Sequence, residues 1–121
     1  MKILVTDDSR AMRMIVIRTM RQAGLGKHEI LEAENGRLGL EAVKDFKPDL
    51  ILSDWNMPEM TGIDFLKALR ASGDTTPFCF VTSEGGGDKA EEGVAAGAIG
   101  FIVKPFTAEA FMDTLGSVVS A

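Results

Sequence analysis

The stretch Leu50-Ile51-Leu52-Ser53-Asp54 decides the fold. Three apolar side chains in an unbroken run predict a strand over Leu50 to Ser53, central in its sheet and buried on both faces. Asp54 follows directly, so this buried segment ends on a carboxylate.

Outward from it the same pattern recurs. Ile3-Leu4-Val5 leads into Asp7-Asp8, Phe78-Cys79-Phe80-Val81 into Thr82, and Phe101-Ile102-Val103 into Lys104-Pro105; a further strand-like run covers Glu29 to Glu34. Each run gives way to turn or helix sequence, the alternation expected of βα units feeding a parallel sheet. In an open parallel sheet the carboxyl ends of all strands lie on one edge. Asp7, Asp8, Asp54, Thr82 and Lys104 are therefore expected to converge there, and such a set of carboxylates, hydroxyl and ammonium suits a phosphoryl group.

The intervening segments carry helix signals. Ser9 is placed to cap a helix running to about Ala23, with Met12, Ile15, Val16, Met20 and Ala23 on its inner face, Arg10, Arg13, Arg18 and Arg21 mostly off it, and Gly24 and Gly26 as its stop. Asn35-Gly36 turns into a second helix bearing Leu38, Leu40, Ala42 and Val43, which Lys47-Pro48 ends. Met57-Pro58 opens a loop closed by Gly62, and a third helix packs Phe65, Leu66 and Leu69. A fourth is expected over roughly Asp88 to Ala96, after Gly85-Gly86-Gly87. Its Gly93 costs about 1 kcal/mol relative to alanine, which makes it the weakest helix. It and its preceding loop read either as a segment that orders upon phosphorylation or as a mobile surface loop. Lys104-Pro105 admits a cis bond, and Thr107 caps a last helix with Phe111, Leu115 and Val118 facing inward.

Length and composition bound the function. The chain of 121 residues suffices for one domain, residues 1–121, and is too short for two ordinary ones. A net charge of −5 argues against direct binding to nucleic acid, and no apolar run approaches the roughly 18 residues of a membrane span. The start, MKILVTDDSR, lacks the apolar core of a secretory signal. The single cysteine, Cys79, excludes an internal disulfide and fits a cytoplasmic protein. Mid-strand, it reads as a small buried hydrophobe, and His28, in a glycine-flanked loop, as an exposed residue.

Both strand orders open to a doubly wound five-stranded sheet put the first strand beside the third. Neighbouring strands lie about 4.8 Å apart, so Asp8 and Asp54 would approach closely. Such carboxylates repel unless one is protonated or a cation lies between them. Magnesium, which takes oxygen ligands and keeps several waters, suits them. An oxygen of Asp54 is then left to attack phosphorus while Lys104 and Thr82 bind phosphoryl oxygens, giving an aspartyl phosphate. Taken singly, Asp7-Asp8 also reads as a turn and helix cap, and Lys104-Pro105 as a strand stop. Their joint placement at successive strand ends favours the site. Trp55 is expected beside the metal, as a reporter of it.

With these residues on the page the chain resembles the receiver domains of two-component response regulators, and within them the single-domain chemotaxis regulators. The resemblance is carried by Asp7-Asp8 with Ser9 and Met12, Asp54-Trp55-Asn56-Met57-Pro58 with Gly62, Val81-Thr82-Ser83, and Gly97-Ala98 followed by Phe101 and Lys104-Pro105-Phe106. It implies an α/β, flavodoxin-like (βα)5 fold with strand order 2-1-3-4-5 and helices on both faces. It further implies Asp54 as phosphoacceptor, and magnesium held by Asp8, Asp54 and the backbone carbonyl of Asn56, with Asp7 acting through water. Thr82 becomes the switch hydroxyl, Lys104 the phosphoryl-binding cation and Phe101 the switch aromatic, while Asn56 and Glu84 tune hydrolysis of the acyl phosphate. A histidine kinase is the implied phosphodonor. A downstream protein would dock on the face of the fourth helix, fifth strand and fifth helix, and the protein is expected to be a monomer. Chemotaxis regulators typically carry tyrosine where Phe101 stands, and this chain has no tyrosine, so no hydroxyl is offered there.

Other roles on the same residues are a receiver in a phosphorelay, a receiver cut from a longer regulator, and a magnesium-dependent phosphohydrolase that also forms an aspartyl phosphate. The last needs a second acid or base close after the nucleophile, where Asn56 stands. A nucleotide or flavin carrier would want a phosphate-cradling loop after the first strand, where Asp7-Asp8 repels phosphate unless metal is bound.

Overall fold

Apolar runs form strands here because burial on both faces leaves no place for alternating polar residues. In the computed structural model, which describes residues 1–24, 29–83 and 87–119, the elements alternate strictly. They are β1 (Lys2–Thr6), α1 (Arg10–Gln22), β2 (Glu29–Ala33), α2 (Gly36–Phe46), β3 (Leu50–Ser53), α3 (Gly62–Ala71), β4 (Phe78–Thr82), α4 (Gly87–Ala95), β5 (Gly100–Val103) and α5 (Ala108–Val119). The strands pair in parallel in the order β2-β1-β3-β4-β5, as expected. Every residue of β3 and β4 is buried.

Alternation along the strands divides the core into two layers. Ile3, Val5, Leu50, Leu52, Cys79 and Val81 pack with Val16 and Met20 of α1 and Phe111 and Leu115 of α5. On the other face Leu4, Ile51, Phe78 and Phe80 meet Val43 of α2 and Ile63, Phe65, Leu66 and Leu69 of α3. Burial pushes the Cys79 thiol up to about 12, so it is an inert core side chain.

The helices begin where the sequence puts their caps. Hydroxyl or amide oxygens of Ser9, Asn35, Thr61 and Thr107 accept the amides of Met12, Leu38, Asp64 and Ala110, each such cap contributing about 1 kcal/mol. Lys47 closes α2 in a left-handed conformation (φ 51°). The Lys104-Pro105 bond is cis.

Three expectations need correction. Ile15 is 41 % exposed, while Arg13 and Thr19 are buried in its stead. The α1 stripe is rotated towards Arg13 because that guanidinium finds hydrogen-bond acceptors inside. β2 ends at Ala33, one residue short of the expected boundary, whereas α4 lies where it is expected. Gly93 has a packing reason: a methyl there would meet the Phe80 ring at 3.0 Å. Gly26, His28, Glu84, Gly85 and Gly86 lie outside the described residues.

Candidate functional site

Register brings the acidic residues together. Thr6 pairs with Ser53 across β1 and β3, and the ladder continues one residue further: the Asp54 amide donates to the Thr6 carbonyl (2.9 Å) and the Asp7 amide to the Ala33 carbonyl (3.1 Å). Both aspartates therefore leave the strands with their backbones fixed. Asp7, Asp8 and Asp54 each offer a carboxylate oxygen, and these oxygens lie within 4.8 Å of one another. Lys104 reaches in from the end of β5, its Nζ 3.2 Å from Asp7 Oδ2 and 3.6 Å from Asp54 Oδ2.

Asp7 is 3 % exposed, and Asp8 stands in solvent. Burial raises the Asp7 carboxyl above the ordinary carboxylate range and the Asp54 charge adds to this, while the Ser9 amide and the Lys104 ammonium oppose it. Asp54 is aimed by its own neighbourhood. The Trp55 amide donates to Asp54 Oδ1 (2.7 Å), Ser53 Oγ donates to the Asp54 carbonyl (2.9 Å), and the Gly62 amide donates to the Trp55 carbonyl (2.7 Å). Oxygen-only donors clustered this tightly fit a hard divalent cation better than a soft one.

Of the other expected residues, Thr82, Asn56 and Phe101 fall within the described part of the chain. Thr82 is fully buried at the end of β4, and its carbonyl accepts the Lys104 amide (2.9 Å). Asn56 is exposed on the loop after Asp54. Phe101 is half-buried, its ring 5.5 Å from Phe80 and 6.2 Å from Trp55, and Trp55 lies 4.9 Å from Phe80. Trp55 is thus a buried ring whose backbone touches the Asp54 carboxylate.

Two supports escaped sequence reasoning. Arg13 Nη1 donates to the Asp7 carbonyl (2.6 Å) and Nε to Glu32 Oε1 (2.9 Å). Its spacing was the available signal: it stands three residues before Val16 and seven before Met20, on the buried face. Glu59, in a left-handed conformation (φ 65°), accepts from Asn35 Nδ2 (2.9 Å) and Arg37 Nε (3.1 Å), which ties the loop carrying Asn56 to the start of α2.

Known proteins resemble this chain over nearly its whole length. The family model described as "Response regulator receiver domain" matches residues 3–116. Chemotaxis protein CheY of Pseudomonas aeruginosa is 38% identical over 120 residues, covering 98% of this chain and 95% of that protein. Chemotaxis protein CheY1 of Helicobacter pylori is 40% identical over 124 residues, covering 98% and 97%. The solved structure of the chemotaxis response regulator CheY4 of Vibrio cholerae superposes with a TM-score of 0.82 at 40% identity, covering 97% of each chain. With the acidic cluster and Lys104 at the carboxyl edge of a β2-β1-β3-β4-β5 sheet, these likenesses show that the chain belongs to the response regulator receiver domain family.

Proposed function

We propose that this protein is a phosphoacceptor switch of chemotaxis-type two-component signalling, with Asp54 the residue phosphorylated. The observation that carries the reading is the clustering of the Asp54 carboxylate with those of Asp7 and Asp8, with the Lys104 ammonium 3.6 Å from it. In the reaction an Asp54 oxygen attacks the phosphorus of a histidine kinase's phosphohistidine; the new O–P bond forms as the P–N bond breaks, and the imidazole leaves with the electron pair. Lys104 meets the incoming phosphoryl oxygens, and Thr82 donates its hydroxyl to one of them. Asp8, Asp54 and the Asn56 carbonyl would hold Mg2+, with Asp7 acting through water. When bound, the cation supplies charge neutralisation among the carboxylates and the phosphoryl oxygens.

The switch follows from the new charge. A phosphoryl group on Asp54 draws Thr82 towards it, and Phe101 turns into the space released, altering the surface of α4, β5 and α5. Val94 of α4, Ile99 just before β5, Val103 of β5 and Met112 of α5 are 61%, 44%, 44% and 44% exposed and form the apolar surface for a downstream protein. Asn56 and Glu84 tune loss of the phosphoryl group. Chemistry on the chain is confined to its own phosphorylation and dephosphorylation, and it works as a cytoplasmic monomer. Among the described residues no helix is long and apolar enough to cross a membrane.

Incubation with acetyl phosphate and Mg2+, followed by intact-mass measurement, tests the reading. One phosphoryl adduct is expected on the wild type, none on Asp54→Ala and none in the presence of a chelator. Equal labelling of wild type and Asp54→Ala would overturn it.

A further inference from the structure

We propose that Arg13 is a positioning residue for the acidic site, its guanidinium fixing the Asp7–Asp8 peptide so that both carboxylates face the same point. This rests on the reading of that site as one for a cation and a phosphoryl group.

Arg13 occupies the buried stripe of α1, where an apolar residue is the norm, and is 8% exposed. Burying a guanidinium costs several kcal/mol unless its donors are satisfied. One donor goes to Glu32, whose side chain is 42% exposed, so solvent screens that ion pair and leaves it little to offset the burial. A second, on Nη1, makes a short, buried bond to the Asp7 carbonyl.

That carbonyl belongs to the planar unit joining Asp7 to Asp8. Rotating the plane swings the exposed Asp8 side chain relative to Asp7 and Asp54. Asp7 is already held at its amide by Ala33 and at its carboxylate by the Ser9 amide (2.9 Å) and Lys104 (3.2 Å). The peptide carbonyl is the remaining handle, and Arg13 holds it. Glu32, on the edge strand β2, orients the guanidinium, so the direction of Asp8 is referred back to the sheet.

The test compares wild type, Arg13→Met, Arg13→Lys and Glu32→Gln by Mg2+ titration of Trp55 emission and by amide hydrogen exchange without metal. Arg13→Met is expected to weaken Mg2+ binding about tenfold, the effect typical of losing a group that orients a metal ligand. Exchange at Ser9, whose amide donates to Asp7, should quicken while β3 and β4 amides keep wild-type protection, a pattern that a general loss of stability would not give. Arg13→Lys, which keeps one donor in reach of the carbonyl, should lie between, and carries the test if Arg13→Met does not fold. Glu32→Gln should change binding by less than about threefold. Mg2+ affinity within about twofold of wild type in both Arg13 variants would overturn the role of Arg13. Absence of saturable Mg2+ binding by the wild type would instead overturn the site reading, and this inference with it.

Discussion

The Lys104 ammonium lies 3.2 Å from the Asp7 carboxylate, and the two side chains are 16% and 4% exposed. The lysine follows β5 and the aspartate follows β1, so the pair spans the ends of β3 and β4, which lie between them. It places a positive charge opposite the one carboxylate in the cluster that water hardly reaches, with Asp54 within 3.6 Å of the same ammonium.

Removing that ammonium leaves two crowded carboxylates without a cation. Lys104→Met is expected to lower stability in metal-free buffer by about 1–3 kcal/mol, the cost of stranding a buried charged group. Urea unfolding at neutral pH measures this, and added Mg2+ should recover part of the loss in the variant.

The raised Asp7 carboxyl has a defined consequence for pH. Because the folded state holds the proton more tightly than the unfolded chain, ionisation of Asp7 works against folding. The penalty is absent below the unfolded value of about 3.9 and grows as pH rises through the folded one. Asp7→Asn, neutral throughout, should be more stable than wild type at neutral pH without metal, the difference fading as pH falls towards about 4. Paired thermal melts across pH check it, and a difference that grows on acidification would contradict it.

Gly62 is dictated by close approach. A methyl built there overlaps the Asp54 carbonyl and comes within 3.0 Å of the Phe80 ring, while the Gly62 amide holds the Trp55 carbonyl. Gly62→Ala should therefore cost about 1–3 kcal/mol and displace Asp54. Chemical denaturation gives the first quantity, and the rate of phosphoryl adduct formation reports the second.

Gly93 separates what propensity says from what packing says. By helix propensity alone Gly93→Ala would stabilise α4 by about 1 kcal/mol. A methyl there would instead press on Phe80, which is fully buried and held between Trp55, Phe78 and Phe101. The ring has little room to yield, so destabilisation of about 1–2 kcal/mol is expected in equilibrium unfolding.

The contrast at Gly93 shows where sequence stopped being sufficient. Strand ends, caps and the convergence of Asp7, Asp8, Asp54 and Lys104 were legible because each follows from a local pattern combined with parallel topology. The order of the strands came from resemblance, since spacing alone left two orders open. Arg13 was misplaced because an arginine among arginines on a helix reads as solvated; its acceptors are the backbone of another segment and a residue of another strand. Ile15 was misplaced by the same rotation of the stripe. Glu59 and Gly93 depend on contacts between elements distant in sequence, which no local signal encodes.

The central claim is that, of three neighbouring aspartates, Asp54 alone accepts the phosphoryl group. Borohydride reduces an acyl phosphate to the alcohol, so treatment after acetyl phosphate and Mg2+ marks the phosphorylated aspartate as homoserine for peptide mass mapping. The mark is expected at position 54 alone and only when Mg2+ is present. Homoserine at position 7 or 8, or at position 54 irrespective of Mg2+, would contradict the account.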